Sequence, residues 1–115
     1  EVRSQSLQVL ESTKPKALHQ AVSSSTADQL QKMMVNVVTN GTGTAAQVSG
    51  VRIGGKTGTA QTTKEKAPYA WFVGFADDPD VAIAVFIENA NVKRSEIAGG
   101  RLAGPIFASV VKALQ

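Results

Sequence analysis

The spacing of apolar and polar positions changes several times along the chain, and each change marks an element. Between residues 23 and 39 the apolar positions are Ala27, Leu30, Met33, Met34, Val37 and Val38, one stripe at helical spacing. Ser23 can cap that helix, and Asn40-Gly41 follows it with residues that accept a left-handed cap. The pattern predicts a helix over 23–39 with its Met pair in the core. Val51 and Ile53 then open an alternating run that leads into Gly54-Gly55-Lys56-Thr57-Gly58-Thr59-Ala60. The stretches 69–76 and 81–88 are apolar on both faces, as in strands covered on both sides. Trp71 and Phe72 are accordingly expected in the core, with Asp77-Asp78-Pro79-Asp80 as a tight polar loop between the two strands. A last helix over about 101–114 would bury Leu102, Ile106, Phe107, Val110 and Leu114. Pro105 fits there only in the first turn, where its missing amide costs no hydrogen bond. Residues 1–22 are weakly patterned: Val2, Leu7 and Val9 fit a short hairpin around Gln5-Ser6, followed by a Lys14-Pro15-Lys16 linker. Helix, three adjacent strands and helix give one sheet with a helix for one face. Strands apolar on both sides ask for a further layer that the chain does not obviously supply.

With 115 residues the chain holds at most one small domain, and 43% hydrophobic with 18% charged residues is an ordinary globular composition. The net charge of +3 comes from scattered lysines and arginines, which does not argue for nucleic acid as a partner. No apolar run approaches the length needed to span a membrane. Glu1-Val2-Arg3 reads as a break inside a longer chain. The absence of cysteine excludes disulfides and thiolate zinc sites. His19, the sole histidine, reads as a surface residue, since nothing near it has the pattern of a Ser-His-Asp triad.

The stretch 54–60 concentrates the candidate chemistry. It brings a lone cation, two hydroxyls and three glycines into seven residues. On a strand Lys56 and Gly58 share one face, and Thr57 and Thr59 the other. Glycine inside a strand marks a close approach by a ligand or another backbone. A cation beside bare strand, with hydroxyls near, suits a bound carboxylate and a peptide-like chain laid along the edge. The plain alternative is a Gly-rich surface turn with a solvated lysine.

Gly50-Val51-Arg52-Ile53-Gly54-Gly55-Lys56-Thr57 also satisfies the pattern of a phosphate-binding loop, G-x-x-x-x-G-K-[ST]. That loop needs a strand before it and a helix starting at the Lys-Thr. Here the strand signal falls inside the supposed loop, and Thr57-Gly58-Thr59 is a poor helix start. Gly41-x-Gly43-x-x-Ala46 mimics a dinucleotide fingerprint, but it follows a helix and precedes a strand, the reverse of the required order. It reads as a backbone turn leading into the 54–60 stretch.

Lys56-Thr57-Gly58-Thr59-Ala60 resembles the K-T-G box of penicillin-binding proteins and serine β-lactamases. Asn40-Gly41-Thr42-Gly43-Thr44-Ala45-Ala46 before it, Ala70-Trp71-Phe72-Val73-Gly74-Phe75-Ala76 after it and Gly99-Gly100-Arg101-Leu102-Ala103-Gly104-Pro105 near the end are similar to runs that occur in that order in penicillin-binding proteins. The likeness covers residues 23 to 115, and the approach to the last helix is more like the monofunctional class B proteins than the bifunctional class A ones. It implies an α/β fold of the α+β type, an antiparallel sheet covered by helices on both faces. This chain would be the C-terminal portion: helix, K-T-G strand, two further strands and helix over 23–115, after a weakly ordered hairpin and linker over 1–22.

The implied activity is that of a D,D-transpeptidase, which cross-links peptidoglycan stem peptides ending in D-Ala-D-Ala by serine acyl transfer and is trapped by β-lactams. A β-lactamase or β-lactam-sensing domain shares the same box, and the Asn40–Ala46 run and the Trp71 strand favour the synthetic enzyme. By this resemblance Lys56 supplies positive charge to the proton-relay and substrate-carboxylate region. Thr57 and Thr59 offer hydroxyls to the terminal carboxylate, and the Thr59 backbone N–H forms half of an oxyanion hole. Gly58 leaves room for the substrate beside the strand. No cofactor or metal is implied, and the implied location is the extracytoplasmic face of the bacterial cell membrane. The family's S-x-x-K nucleophile motif lies far upstream of the K-T-G strand, so Ser109-Val110-Val111-Lys112 on the last helix is a decoy, and no S-x-N motif occurs. The nucleophile, its lysine and the S-x-N are expected from an upstream part of the same domain, and this chain alone is expected to be inactive.

Overall fold

The computed structural model describes residues 1–14 and 16–115. The first hairpin pairs β1 (Val2–Arg3) with β2 (Val9–Glu11) antiparallel, and both strands are exposed. Its turn closes through bonds from Ser4 N–H to the Gln8 carbonyl and from Leu7 N–H to the Ser4 carbonyl. Leu7 takes a left-handed conformation in that turn rather than joining a strand. Pro15 of the expected linker lies outside the described residues.

Helix α1 (Ser24–Thr39) begins where its cap predicts: Ser23 Oγ accepts the Thr26 N–H at 3.2 Å. Its end differs from expectation. Asn40 has φ −131°, and Gly41 is not left-handed. The Gly41 and Gly43 amides both donate to the Val37 carbonyl, at 3.1 and 2.9 Å, so the chain folds back over the last turn. A Cβ on Gly41 would stand 2.9 Å from that carbonyl oxygen, so glycine is needed for closeness, not for handedness. The expected stripe is only partly buried. Val38 is in the core, but Leu30 and Met33 are exposed and Met34 is half-buried, so the Met pair is not core packing within this chain.

Three strands form one antiparallel sheet in the order β3 (Ile53–Ala60), β4 (Tyr69–Asp77), β5 (Asp80–Ile87). Asp77 pairs with Asp80, leaving Asp78-Pro79 as the tight loop that the polar run predicts. An α+β chain built on an antiparallel sheet is therefore what forms.

Helix α2 (Gly99–Ala113) covers one face of the sheet. Phe107 meets Phe72 there at 5.0 Å between ring centroids, both fully buried, among Val38, Ile53, Val85 and Val111. Each such aromatic contributes about 1.5–3 kcal/mol through burial. The face that α2 buries is not the predicted one. Ala103, Gly104, Phe107, Ala108 and Val111 are buried, Gly104 against Ala45 and Ala46, while Ile106, Val110 and Leu114 are exposed. Of the predicted set only Phe107 is fully buried, because small residues let the helix backbone come close to the strands. The helix also starts two residues earlier than expected, which puts Pro105 in its interior. Pro105 removes the intrahelical donor of the Arg101 carbonyl, and both residues lie on the exposed side of the helix.

The opposite face stays open within this chain. Trp71, Val73 and Phe86 there are 37%, 40% and 46% exposed, so Trp71 is not a core residue and the doubly apolar strands are covered on one side only. Helix α1 packs against β3 and brings Met34 beside Val73, Phe75, Ala82 and Ala84 on this face. The pattern on β4 and β5 registers what suits the two faces, not what this chain has to cover them.

Candidate active-site strand

β3 is an edge strand, and its hydrogen-bonding parity decides what it can offer. The Asp77 N–H donates to the Arg52 carbonyl, and the register pairs Gly54 with Phe75, Lys56 with Val73 and Gly58 with Trp71. In an antiparallel pair the bonded positions alternate. Arg52, Gly54, Lys56 and Gly58 therefore spend their backbone groups on β4. Gly55, Thr57 and Thr59 point theirs away, toward the free edge. Among the described residues neither the Thr57 nor the Thr59 N–H has a partner.

Side chains alternate as the sequence predicts. Lys56 and Gly58 lie on the open face: Lys56 is exposed, and a Cβ on Gly58 would touch the Trp71 Cβ at 3.3 Å. The Lys56 ammonium reaches back to donate to the edge-facing Thr57 carbonyl at 2.7 Å. Thr57 and Thr59 share the face covered by α2. The Thr59 hydroxyl accepts the Gly99 N–H at 3.4 Å, and the Thr57 hydroxyl lies 2.7 Å from that of Thr42. Ala98, at the N-cap of α2, has no capping side chain, so Thr59 supplies from β3 the acceptor that a helix start lacks.

The glycines of the stretch make room chiefly for this protein's own atoms. A Cβ on Gly54 or Gly55 would stand 2.3 Å from the ring of Phe75 or Phe72 respectively. On α2, a Cβ on Gly99 would fall 2.1 Å from the Trp71 carbonyl oxygen, and one on Gly100 would fall 1.8 Å from that of Thr42. The paired glycines thus bring the positive end of the α2 dipole against the strand. Sequence reasoning singled out the run containing Thr42 but gave that hydroxyl no role. Its signal was the nearby glycines, which hold it in a fixed turn.

The phosphate-loop pattern fails on this geometry, because Lys56 and Thr57 lie inside β3 and no helix starts at them. Gly41–Ala46 is a turn and one short 3₁₀ segment, as its position between helix and strand predicts. On α2, Ser109 and Lys112 are exposed, and the Ser109 hydroxyl donates to the Pro105 carbonyl at 2.9 Å. His19 is exposed. Among the described residues no group of acidic, His or Cys side chains could hold a metal, and no helix is long and apolar enough to cross a membrane.

Comparison with known proteins places the whole chain. Residues 3–112 match the model of the penicillin-binding protein transpeptidase domain. The chain is 37% identical over 103 residues to stage V sporulation protein D of Bacillus subtilis, covering 85% of this chain and 16% of that protein. It is 35% identical over 112 residues to the peptidoglycan D,D-transpeptidase PbpA of Mycolicibacterium smegmatis, covering 93% and 22%. Among solved structures, the transpeptidase domain of FtsI4 from Legionella pneumophila matches with TM-score 0.71 and 35% identity, over 82% of this chain and 37% of that one. An imipenem acyl-enzyme complex of penicillin-binding protein A from M. tuberculosis matches with TM-score 0.67 and 32% identity, over 98% and 25%. The chain thus spans about a fifth of the length of the curated relatives. With a family model matched over residues 3–112 and relatives 37% and 35% identical along most of its length, the chain belongs to the transpeptidase-domain family of penicillin-binding proteins.

Proposed function

We propose that this chain supplies the K-T-G strand of a peptidoglycan D,D-transpeptidase acting outside the cytoplasmic membrane, on stem peptides ending in D-Ala-D-Ala. The observation that carries the reading is the parity of β3. Two unpartnered amides, Thr57 and Thr59, face the free edge beside an exposed lysine and two threonine hydroxyls. An extended peptide can add to such an edge as a further strand, bonded through its main chain.

In this reading a serine from a part of the protein outside this sequence attacks the penultimate D-Ala carbonyl. The negative charge that develops on the carbonyl oxygen is met by the Thr59 N–H, one half of an oxyanion hole. The C–N bond then breaks, D-Ala leaves with a proton, and an acyl-enzyme remains for the acceptor amine. Thr57 and Thr59 hydroxyls donate to the terminal carboxylate. Lys56 adds positive charge and leaves the Thr57 carbonyl when a substrate amide needs that acceptor. β-Lactams would enter by the same contacts, and the similar mycobacterial protein has been solved as an imipenem acyl-enzyme complex.

The test is labelling with a fluorescent penicillin. The 115-residue chain alone should take up no covalent label. The full-length protein should be labelled on a residue outside this sequence, and Lys56→Ala should slow that labelling. Label on Ser109 would overturn the assignment.

A further inference from the structure

We infer that Thr42 is a positioning residue that sets the direction of the Thr57 hydroxyl proton, so that Thr57 reaches a ligand carboxylate as a donor. The inference rests on the proposed carboxylate role of Thr57. It starts from the 2.7 Å contact between the two hydroxyls, which join residues 15 apart in sequence.

Each threonine hydroxyl has one proton and two acceptor lone pairs. An ionised carboxylate only accepts, so Thr57 can hold one only by donating its single proton to it. The bond between the two threonines must then run from Thr42 to Thr57. Thr59 already has this arrangement with its direction fixed. Its hydroxyl accepts from the Gly99 N–H, which can only donate, and so its own proton is left for a ligand. With Thr42 as donor, both hydroxyls of the strand accept from the scaffold behind them and donate forward.

Thr42 is held firmly enough to do this. The amides on either side of it, Gly41 and Gly43, both bond to the Val37 carbonyl. Its own carbonyl lies against Gly100 so closely that no side chain fits between them. Gly100 also faces the Thr57 methyl, at 3.0 Å from a Cβ built there, so the Thr57 rotamer is set with its methyl toward α2 and its hydroxyl toward Thr42. Such a contact costs no reorganisation when a ligand arrives, which is where preorganised dipoles gain their effect.

The experiment uses the full-length protein containing this chain. Acylation rate constants would be measured with benzylpenicillin and with its methyl ester, which lacks the carboxylate charge, for wild type, Thr42→Val, Thr42→Ser and Thr57→Val. Thr42→Val keeps the side-chain volume and removes the hydroxyl. It should slow the free acid about three- to tenfold, the worth of roughly one net hydrogen bond, and leave the ester nearly unchanged. Thr42→Ser should restore the wild-type preference. Thr57→Val should reduce the acid rate further, roughly ten- to a hundredfold, again sparing the ester. If Thr57→Val discriminates and Thr42→Val slows acid and ester equally or not at all, Thr42 does not orient the proton and the inference is overturned. If Thr57→Val itself slows both alike, the carboxylate role of Thr57 fails, and the inference fails with it.

Discussion

Gly99 lies against Gly58: a Cβ built on the helix residue would fall 2.4 Å from the strand residue's carbonyl oxygen and 2.9 Å from its nitrogen. This contact seats the start of α2 on β3 and brings the Gly99 amide to Thr59. Gly99→Ala should therefore push the helix off the strand, costing about 1–3 kcal/mol as overpacking does. Gly104, five residues further along and set against Ala45 and Ala46 instead of the strand, is the control for glycine replacement in the same helix. Its nearest neighbour would be 3.4 Å from an added Cβ, an ordinary contact. Gly104→Ala should gain about 0.5–1 kcal/mol from reduced backbone entropy. Opposite shifts in Tm for the two variants are expected, and equal shifts would remove the close-approach account.

The parity of β3 makes Thr59 a position where side chain and backbone can be tested apart. Its N–H takes no part in the β3–β4 ladder, so proline there removes an edge-facing donor and no ladder bond. Thr59→Ala should weaken acylation by about 1.5–3 kcal/mol, one hydrogen bond to a charged group. Thr59→Pro should be worse, losing roughly a further hundred- to thousandfold in rate, as for one oxyanion donor. Equal acylation losses at matched Tm would remove the backbone donor. Neither variant should acquire a magnesium requirement, since Lys56-Thr57 is strand and not a phosphate loop.

How much of this was legible in the sequence depends on how local each signal is. The Ser23 cap, the span of α1 and the alternation that separates Lys56 from Thr57 are set by neighbours within a few residues, and each is found as expected, whereas of the α1 stripe only Val38 is fully buried. The face that α2 buries is not local. It is chosen by what fits against Gly58 and Thr42, so Ala103 and Gly104 face inward while the larger Ile106 and Val110 do not. Trp71 shows the same limit. Apolarity on both faces of β4 says that both can be covered, not that this chain covers them. Asn40-Gly41 suggests a left-handed cap, but the use of Gly41 is contact with the Val37 carbonyl. The Thr42–Thr57 pair meets only through the fold, and spacing alone gives no sign of it.

Trp71 is the sole tryptophan and lies 37% exposed on the open face, tilted against Phe86 at 4.4 Å. It reports directly on whether that face is covered. In the 115-residue chain alone its emission should be red-shifted and readily quenched by acrylamide, with a weakly cooperative thermal transition, because one covered face buries too little surface to offset chain entropy. In the full-length protein the same residue should be blue-shifted and shielded. A shielded Trp71 and a sharp transition in the monomeric short chain would contradict the open face.

The segment after β3 is held by two side chains, Arg94 and Thr62. Arg94 donates through Nη1 to the Lys66 carbonyl at 2.6 Å and the Thr63 carbonyl at 3.3 Å, and through Nη2 to Gln61 Oε1 at 3.1 Å. Thr62 adds hydroxyl bonds to the Lys66 and Ala67 carbonyls, so the loop closes on itself and Arg94 clamps it from outside. A guanidinium presents several donors in a fixed fork, which a lysine ammonium cannot copy. Lys64 and Lys66 are exposed within this loop and make it a natural site for trypsin. Loss of one net hydrogen bond, about 1.4 kcal/mol, makes local opening roughly tenfold more frequent. Arg94→Gln should therefore speed cleavage after Lys64 and Lys66 by about that factor, with Arg94→Lys intermediate at best. Because the loop leads directly from Ala60 into β4, acylation should slow in parallel while global Tm moves little. Unchanged proteolysis in Arg94→Gln would mean that Thr62 alone holds the loop, and Thr62→Val would then give the larger effect.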